Sequence, residues 1–350
     1  MTPTRNDVAK LAGVSPATVS YVVNNGPRPV SKETRKQVLR AIEQLNYHPS
    51  SIARSMTTKK TATIGFVIPD ILNPIHAQIA KAFEDAMHLA GYSVILCNSD
   101  ESPDRELAYL KVLLSKQVDG IALTPTGNNR ALISSFADSD KPIVLFDRQI
   151  EELKADCVLF ENEIGTCLAV RHLIELGHTR IGLINLPTAL TPGLERLQGY
   201  KRALLESGIE FDPQIVREGS FKEEGEEHAG ALMRVVPRPT AVFCSSNRLL
   251  RGVLHMAKAR KLAVPQELAI CCFDDVIYFA DTTPSITAVS TSVAQIGSQL
   301  AKLLFDRVSG AYKGEPRMVR VPCQLNIRES TMPDSSSFAS GSRLAPVEIK

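Results

Sequence analysis

The sequence predicts an all-α head followed by an α/β body of two lobes, each lobe built on a doubly wound parallel sheet. Three observations lead to this fold class. The first 60 residues contain ten Lys and Arg but only three Asp and Glu, whereas the rest of the chain is slightly acidic. Three short helical patterns fill this basic segment. From residue 62 onward, apolar runs alternate with amphipathic stretches, which is typical of α/β domains.

Length and composition narrow the class of protein. The 350 residues are 44% hydrophobic and 22% charged, as in ordinary globular proteins. No apolar run approaches the roughly 20 residues of a membrane span, and the polar N-terminus is unlike a signal peptide. We therefore expect a cytoplasmic protein that does not bind a membrane. Seven scattered cysteines without metal-like spacing predict buried thiols, and neither a metal nor a cofactor is expected.

Capping residues mark the ends of the first two helices of the head. Thr4 is a good N-cap, and Asp7 lies in the first turn, where the helix dipole favours an acid. Gly13 suits the left-handed residue that ends a helix. Ser15 then caps the second helix, and Pro16 occupies its first position, where the missing N–H does no harm.

The three helices together predict a helix-turn-helix. Ser31 caps the third helix, whose apolar stripe consists of Val38, Leu39, Ile42 and Leu45. Ala9 is small enough for two helices to cross closely, Gly13 permits the sharp turn between them, and Val19 packs the second helix against the first. Any three-helix bundle shows apolar spacing of this kind, but the caps and the basic charge favour a module that reads the major groove of DNA.

The body alternates candidate strands with candidate helices. The strands are Ala62–Ile68, Tyr92–Cys97, Gly120–Leu123, Ile143–Phe146, Arg180–Asn185, Thr240–Cys244 and Leu268–Phe273. Helical patterns lie near residues 76–90, 104–116, 163–176, 195–207 and 246–261. This rhythm predicts parallel sheets with helices on both faces, and because it runs twice it predicts two lobes with a ligand cleft at the carboxyl ends of the strands.

Both parts of the chain carry a family resemblance. Asp7–Ser15 with Ala17–Ser20, and also Pro49–Met56, resemble the head of the lactose-repressor (LacI/GalR) family. The resemblance continues to about residue 332 through short motifs in the same order: Ile64-Gly65, Ile68–Asp70, Asn73-Pro74, Val118–Ile121, His172–His178, Arg196–Tyr200, Phe273–Asp275 and Ile327–Thr331. It implies a body with the fold of periplasmic sugar-binding proteins, in which the chain crosses between the lobes three times.

The domain plan follows from this resemblance. It places the DNA-binding head at residues 1–48 and a hinge helix with its linker at residues 49–61. A two-lobed effector-binding and dimerisation domain then covers residues 62–332. The serine-rich tail, residues 333–350, has few apolar side chains and is expected to be disordered.

The resemblance also implies the DNA contacts. Base readout is implied for Pro16, Ala17 and Tyr21, and Tyr21 stands where most members have arginine, so the operator half-site should differ from the commonest one. Phosphate contacts are implied for Thr4, Ser15, Thr18, Asn24 and Ser31. In the hinge, which is implied to fold in the minor groove against its dimer mate, the contacts are Ser50, Ala53 and Met56. Met56 replaces a usual leucine as the wedge between base pairs, and an ordinary linker helix is the alternative.

The implied effector site lies at strand ends between the lobes. Its residues are Asp70, Asn73, Ile75, His76, Asp147, Arg148, Arg196, Ser246, Asn247 and Asp274. Ile75 and His76 replace the usual aromatic rings, and Ser246-Asn247 replaces a pair that in the family is often Asn-Asp, so one carboxylate is lost. Arg148 and Arg196 remain while an acid is lost, so the pattern favours a sugar acid or sugar phosphate as the ligand. The alternatives are that the Asp147-Arg148 and Asp274-Asp275 pairs form interlobe salt bridges and that His76 is a solvated loop residue.

These expectations define one function and its competitors. We expect a homodimer, with a tetramer as the alternative, that binds a near-palindromic double-stranded operator and represses genes of carbohydrate uptake and catabolism. A sugar, sugar acid or sugar phosphate would act as inducer or corepressor. An enzyme is disfavoured because the nucleotide-binding glycine motifs and the Gly-x-Ser-x-Gly elbow are absent from the sequence. A transport-type binding protein would need an export signal, and control by a partner protein remains open.

Overall fold

The computed structural model describes residues 3–23, 28–47, 60–137, 141–151, 153–219 and 225–332. The chain divides into two compact units, residues 1–62 and 63–350. Among the described residues, no helix is both long enough and apolar enough to cross a membrane.

The head contains three helices, α1 (Arg5–Leu11), α2 (Pro16–Val23) and α3 (Lys32–Gln44). Thr4 and Asp7 form a reciprocal capping box at the start of α1. Gly13 has φ +65°, the left-handed conformation that the sharp turn requires. The core of the head is small and aliphatic, and its buried members are Val8, Ala9, Val19, Val22, Val38 and Ala41.

The first lobe is built on a six-stranded sheet. The strands in chain order are β1 (Thr63–Ile68), β2 (Ser93–Asn98), β3 (Gly120–Leu123), β4 (Ile143–Phe146), β5 (Asp156–Phe160) and β11 (Met318–Val321). Their spatial order is β2-β1-β3-β4-β5-β11, and every neighbouring pair is parallel. Strands β1, β3 and β4 are almost wholly buried, because helices cover both faces of the sheet.

The second lobe repeats this plan. Its strands are β6 (Ile181–Asn185), β7 (Val216–Glu218), β8 (Ala241–Cys244), β9 (Ala269–Phe273), β10 (Thr287–Thr291) and β12 (Cys323–Asn326). The spatial order is β7-β6-β8-β9-β10-β12, and β12 pairs antiparallel with β10. A ligand cleft is expected where the carboxyl ends of the strands of the two sheets meet.

Within the described residues of the body, eight α-helices pack on these sheets. They are α4 (Pro74–Leu89), α5 (Pro103–Ser115), α6 (Arg130–Ala137), α7 (Asn162–Glu175), α8 (Thr191–Glu206), α9 (Gly225–Leu232), α10 (Asn247–Ala259) and α11 (Val293–Ser309). Helix α4 begins at its cap Asn73 and packs against α11 in the first lobe. Helices α7 and α8 pack against each other in the second lobe.

The chain crosses between the lobes three times, as expected. It leaves the first lobe between β5 and α7, returns between β10 and α11, and leaves again between β11 and β12. The last crossing is the single residue Pro322 between the two edge strands. Six of the seven cysteines are buried thiols, whereas Cys323 is partly exposed.

The sequence prediction missed several elements of the body. Strands β5, β7, β10, β11 and β12 and helices α6, α9 and α11 are additional, and α8 begins at Thr191 rather than near residue 195. Most of the missed strands are short, and β7, β11 and β12 lie at or next to sheet edges where the side chains are mixed polar and apolar. Such strands lack the uninterrupted apolar run that marked the central ones.

Candidate DNA-binding surface and effector cleft

The start of α2 presents its side chains to solvent. Pro16 and Ala17 are exposed, and Thr18 and Tyr21 are partly exposed on the same helix. Val19 and Val22 face inward and hold α2 in the core of the head. The side chains for which base readout is expected are therefore available to a partner, because the opposite face of the helix carries the packing.

The hydroxyl groups expected at phosphates cap the helices. Ser15 Oγ accepts from the backbone N–H of Thr18 at 3.1 Å, and Ser31 Oγ accepts from the N–H of Thr34 at 3.1 Å. Thr4 Oγ1 donates to the Asp7 carboxylate at 2.7 Å. Each cap fixes the N-terminal end of a helix, where backbone N–H groups and the dipole favour an anion such as phosphate.

Arg28 is a feature of this surface that the sequence interpretation missed. Its guanidinium carbon lies 5.9 Å from the centre of the Tyr21 ring, and its side chain is exposed. Tyr21 replaces an arginine common at its position, but an arginine from the following loop reaches the same face of α2. The Gly26-Pro27-Arg28 sequence signals a turn and gives no indication that its arginine returns to the helix.

Four expected DNA contacts, Asn24, Ser50, Ala53 and Met56, lie outside the described residues. The same holds for residues 49–59 of the hinge segment and for the tail, residues 333–350. Their roles remain predictions from the sequence.

In the body, eight of the ten side chains expected at the effector line one cavity between the lobes. They are Asn73, Ile75, His76, Asp147, Arg148, Arg196, Ser246 and Asp274, and Phe160, Leu186 and Pro192 complete the lining. The cavity measures about 20 Å³, room for about one water molecule. The cleft is therefore closed in this structure. Phe160 supplies an aromatic wall that the loop at Ile75 and His76 lacks, and it was missed because β5 was missed.

Each lobe contributes an aspartate with an unusual backbone to this cavity. Asp147 follows β4 and Asp274 follows β9, with φ angles of 64° and 71°. Non-glycine residues seldom adopt this left-handed region, and such residues cluster at functional sites. The two carboxylates stand at corresponding strand ends of the two sheets, so each lobe presents an acceptor to the same small space.

Arg148 is held by a carboxylate that the sequence interpretation did not include. Its Nη1 and Nη2 donate to the two oxygens of Glu101 at 2.8 and 2.6 Å, and Nη1 also donates to the Pro125 carbonyl at 3.2 Å. Asp147 lies at 3.9 Å from its Nε. Arg148 is only 2% exposed, so this bidentate ion pair is nearly dry.

Arg196 is equally engaged in the second lobe. It donates to Asn162 Oδ1 at 2.9 Å and to the Ser245 carbonyl, and its Nη1 lies 3.7 Å from Asp274. Its guanidinium carbon sits 3.7 Å from the centre of the Phe273 ring, a cation–π contact. Helix α8 carries Arg196 close to α7. This close approach is possible because residue 199 is glycine, and a side chain there would collide with the backbone of α7.

Asp70 and Asn247 do not line the cavity, contrary to expectation. Instead both join the lobes directly: Asp70 pairs with Arg248, and Asn247 Nδ2 donates to Asn73 Oδ1 at 2.9 Å. Sequence reasoning placed them at the ligand because they stand at strand ends. The physical reason for the difference is the closed cleft, in which side chains at its rim meet each other across the gap.

The alternative of interlobe salt bridges at the two Asp pairs is wrong. Asp147 and Arg148 belong to the first lobe, and Asp274 pairs within the second lobe. Asp275 pairs with Arg328 at 2.7 Å, again within the second lobe. His76 is not a solvated loop residue either. It is buried in the first turn of α4. Its Nδ1 lies 3.2 Å from the Asp70 carbonyl oxygen.

The pKa of the Asp274 carboxyl is raised above its usual value. Burial raises the pKa of this carboxyl, Arg196 opposes the rise, and the negative charge of Asp147 from the other lobe adds to it. The two carboxylates therefore repel each other across the closed cavity. A hydrogen-bond donor placed between them would relieve this repulsion.

Comparisons with known proteins agree with both parts of the chain. Residues 4–50 match the family described as bacterial regulatory proteins, lacI family, and residues 170–331 match a periplasmic binding protein-like domain. The HTH-type transcriptional repressor PurR of Mannheimia succiniciproducens is 35% identical over 332 residues, which cover 93% of this chain and 98% of the relative.

Two solved structures are similar over nearly the whole chain. A complex of the transcriptional regulator CelR with cellobiose is 30% identical, with a TM-score of 0.72, and the match covers 94% of this chain and 99% of that one. A lac repressor dimer bound to operator and the anti-inducer ONPF is 25% identical, with a TM-score of 0.83 and coverages of 95% and 100%. The chain belongs to the lacI family of bacterial regulatory proteins and is a DNA-binding transcriptional repressor rather than an enzyme.

Proposed function

We propose that this protein represses genes of carbohydrate uptake and catabolism as a dimer on a near-palindromic operator, under the control of a small sugar-like effector. The observation that carries the proposal is the cavity where the strand ends of both sheets meet, lined by polar side chains from both lobes. The CelR relative holds cellobiose, which supports a sugar as the class of ligand. We assign the protein to the cytoplasm, where operator DNA lies.

Base reading falls to the exposed side of α2, on which Pro16, Ala17 and Tyr21 lie, and to Arg28 beside them. The capped helix starts support the phosphate contacts that the sequence predicts, namely Thr4, Ser15, Thr18 and Ser31, with Asn24 in addition. The hinge residues Ser50, Ala53 and Met56 complete the proposed set in the minor groove.

Effector binding is assigned to the eight cavity residues together with Glu101 and Phe160. Carboxylates and amides at the strand ends can accept from and donate to ring hydroxyls, and the Phe160 ring offers an apolar face. A cavity of about 20 Å³ does not admit a sugar, so the lobes must separate before the ligand enters. Binding is therefore coupled to movement of the lobes, which is the requirement for control by a ligand.

A groove formed by both lobes supports the dimer. It measures about 540 Å³ and lies beside the Asp70–Arg248 pair; its apolar lining includes Leu72, Leu254, Tyr278 and Phe279. Leu72 is 80% exposed, an unusual position for leucine unless another surface covers it. The similar lac repressor structure is a dimer on its operator, so we assign this groove to a second copy of the chain. Movement of the lobes would then change the dimer contact and the spacing of the two heads.

The proposal is tested by ligand and operator binding together. The purified protein should melt at a higher temperature with at least one member of a panel of sugars, sugar acids and sugar phosphates. The same ligand should change its affinity for a palindrome taken from the promoters beside its gene, and that affinity should fall steeply with salt. A protein that binds such a site but is stabilised by no ligand in the panel would instead favour control by a partner protein.

A further inference from the structure

Glu101 does not line the cavity itself, but it is held against Arg148, which does. Glu101 belongs to the loop after β2, and it and its neighbour Asp100 both adopt left-handed backbone angles, φ 56° and 53°. This conformation turns the Glu101 carboxylate toward Arg148, and both of its oxygens accept from the guanidinium, at 2.8 and 2.6 Å. The Glu101 side chain is 18% exposed and that of Arg148 is 2% exposed. The pair is therefore a shielded, bidentate ion pair rather than a surface contact.

Carboxylates outnumber guanidinium groups in and beside the cavity. Asp147 and Asp274 line the cavity together with Arg148, Arg196 and the imidazole of His76. Glu101, which pairs with Arg148, adds a third carboxylate next to the lining, against two guanidinium groups. Asp70 and Arg248 neutralise each other at the rim. The expectation of an anionic effector rested on arginines that had lost an acidic neighbour. In the structure each of these arginines lies beside a carboxylate.

An anionic ligand would have to compete with these carboxylates. To reach Arg148, a carboxylate or phosphate must displace Glu101 and leave its charge beside Asp147 in a nearly dry space. Arg196 offers no easier route, because Asp274, the Ser245 carbonyl and the Phe273 ring already surround it. A hydroxyl or ammonium group has the opposite preference, since it donates to the carboxylates without breaking either pair.

We propose that Glu101 fixes the charge class of the effector, so that the cleft accepts an uncharged or amino-bearing hydroxylated molecule and rejects sugar acids and sugar phosphates. The inference deepens the proposed function and rests on the cavity being the effector site. Glu101 acts by masking Arg148, so replacing it with an isosteric neutral side chain leaves the guanidinium in place and opens it to anions.

The test compares the full-length protein with its Glu101→Gln variant. Isothermal titration and thermal shift are measured with four probes: glucose, glucosamine, gluconate and inorganic phosphate. The wild type should bind neither gluconate nor phosphate more tightly than glucose or glucosamine. Glu101→Gln should bind the two anions at least about tenfold more tightly than the wild type does, because one competing negative charge is gone.

A matched control removes the same charge elsewhere. Glu206 on α8 accepts from Arg202 at 2.8 Å and is 38% exposed, well outside the cavity lining. Glu206→Gln should leave the affinity for all four probes within about twofold of the wild type, because exposed charges are screened by water and salt. A gain of anion affinity in this control as well would reduce the effect to overall charge and overturn the proposal.

The remaining outcomes separate this inference from the proposed function. If the wild type prefers gluconate or phosphate, or if Glu101→Gln folds but gains no anion affinity, Glu101 does not set the charge class. The wild-type preference decides the matter even if the variant fails to fold. If Glu101→Gln gains anion binding while no sugar in a wider panel binds the wild type, the masking role stands and the carbohydrate effector fails.

Discussion

Asp70 in the first lobe and Arg248 in the second form an ion pair at the rim of the closed cleft. The Asp70 side chain is 14% exposed and that of Arg248 is 30% exposed, so the pair is partly shielded from water. Beside it, Asn247 donates to Asn73 across the same gap at 2.9 Å. Adjacent residues of α10 therefore hold the end of β1 and the start of α4, and together they favour the closed arrangement of the lobes.

Arg248→Ala should make the closed cleft open more often. Loss of a partly shielded pair costs about 1 kcal/mol, which lowers the ratio of closed to open molecules about fivefold. Hydrogen exchange of the backbone amides in residues 69–76 and 245–250 should accelerate by a similar factor, because both segments lie at the rim. Asp70→Asn should have the same effect, and the double variant should add little to either single change.

Lys258→Ala is the control for this prediction. Lys258 lies on the same helix and is exposed, and it is not among the residues that line the groove between the lobes. Hydrogen exchange at the rim should stay unchanged in this variant. Equal acceleration in Arg248→Ala and Lys258→Ala would show that the Asp70 pair does not hold the lobes together.

Tyr21→Ala should relax operator specificity. The side chain is partly exposed on α2 and is expected to make the base contact that arginine makes in most family members. Its loss should therefore reduce the difference in binding free energy between matched and mismatched half-sites. We expect this difference to fall by about 1–2 kcal/mol, measured by titration of the protein against a set of single-base operator variants.

Arg28→Ala distinguishes two uses of the neighbouring guanidinium. If Arg28 reads a base, this variant also changes the preferred half-site; if it contacts phosphate, affinity falls evenly and the salt slope becomes shallower by about one. A Tyr21→Ala variant with the specificity of the wild type would refute the placement of α2 against the bases.

Met56→Ala should lower operator affinity with little change in half-site preference. The residue is expected to wedge between base pairs at the centre of the site, where removal of the flexible thioether loses apolar contact but leaves the base readers in place. Affinity and sequence preference can be measured on the same operator set as for Tyr21→Ala. A variant that binds as tightly as the wild type would exclude Met56 as the wedge.

Asp156→Ala should strongly destabilise the first lobe. This carboxylate is fully buried at the start of β5 and accepts from Arg307 at 2.7 Å and from Arg317 at 2.8 Å, so it ties β5 to α11 and to the segment before β11. Removing it leaves Arg307 without a carboxylate partner, whereas Arg317 keeps Asp306 at 2.7 Å. The free energy of unfolding should therefore fall by about 2–3 kcal/mol in a urea titration. Asp85→Ala, which breaks an exposed pair with Lys81, should cost under about 1 kcal/mol.

The stability that Asp156 contributes should also depend on pH. Burial alone raises the pKa of Asp156, but the hydrogen bonds from Arg307 and Arg317 outweigh burial and hold the pKa below its usual value. An acid with a lowered pKa stabilises the fold above its unfolded-state pKa and loses that contribution as the pH falls through the folded-state pKa. Asp156→Asn should therefore lose less stability than the wild type below about pH 4. An identical acid profile for the two proteins would contradict this assignment.

The elements that were predicted correctly are those whose own sequence contains their signal. Strand β3 is a short, wholly apolar run, and α1 announces itself through the Thr4 and Asp7 capping box. Strand β11 is different. In Met318–Val321 exposed side chains alternate with a partly buried and a buried one, at a sheet edge that pairs with β5. Helix α11 did carry a signal, in its apolar spacing and its Gly310 end, so that omission was avoidable.

In the candidate site, too, residues with a signal in the local sequence were predicted and those that depend on tertiary contacts were not. Asp147, Arg196 and Asp274 were identified from the family resemblance, and all three line the cavity. Arg196 reaches it from helix α8 and not from a strand end, contrary to expectation. Glu101 was not identified, since its partner Arg148 is 47 residues away in the chain and only the folded sheet brings them together. The exchange of Asp70 from ligand contact to lobe contact likewise depends on how closely the lobes approach, which local sequence does not encode.

The threefold crossing of the chain has a consequence for synthesis. The head is complete once its three helices have emerged from the ribosome, and its contacts are local. Neither lobe can complete its sheet until strands β11 and β12 appear, because each lobe takes an edge strand from residues 318–326. A nascent chain therefore carries a finished head on an unfinished body until residue 326 has been synthesised.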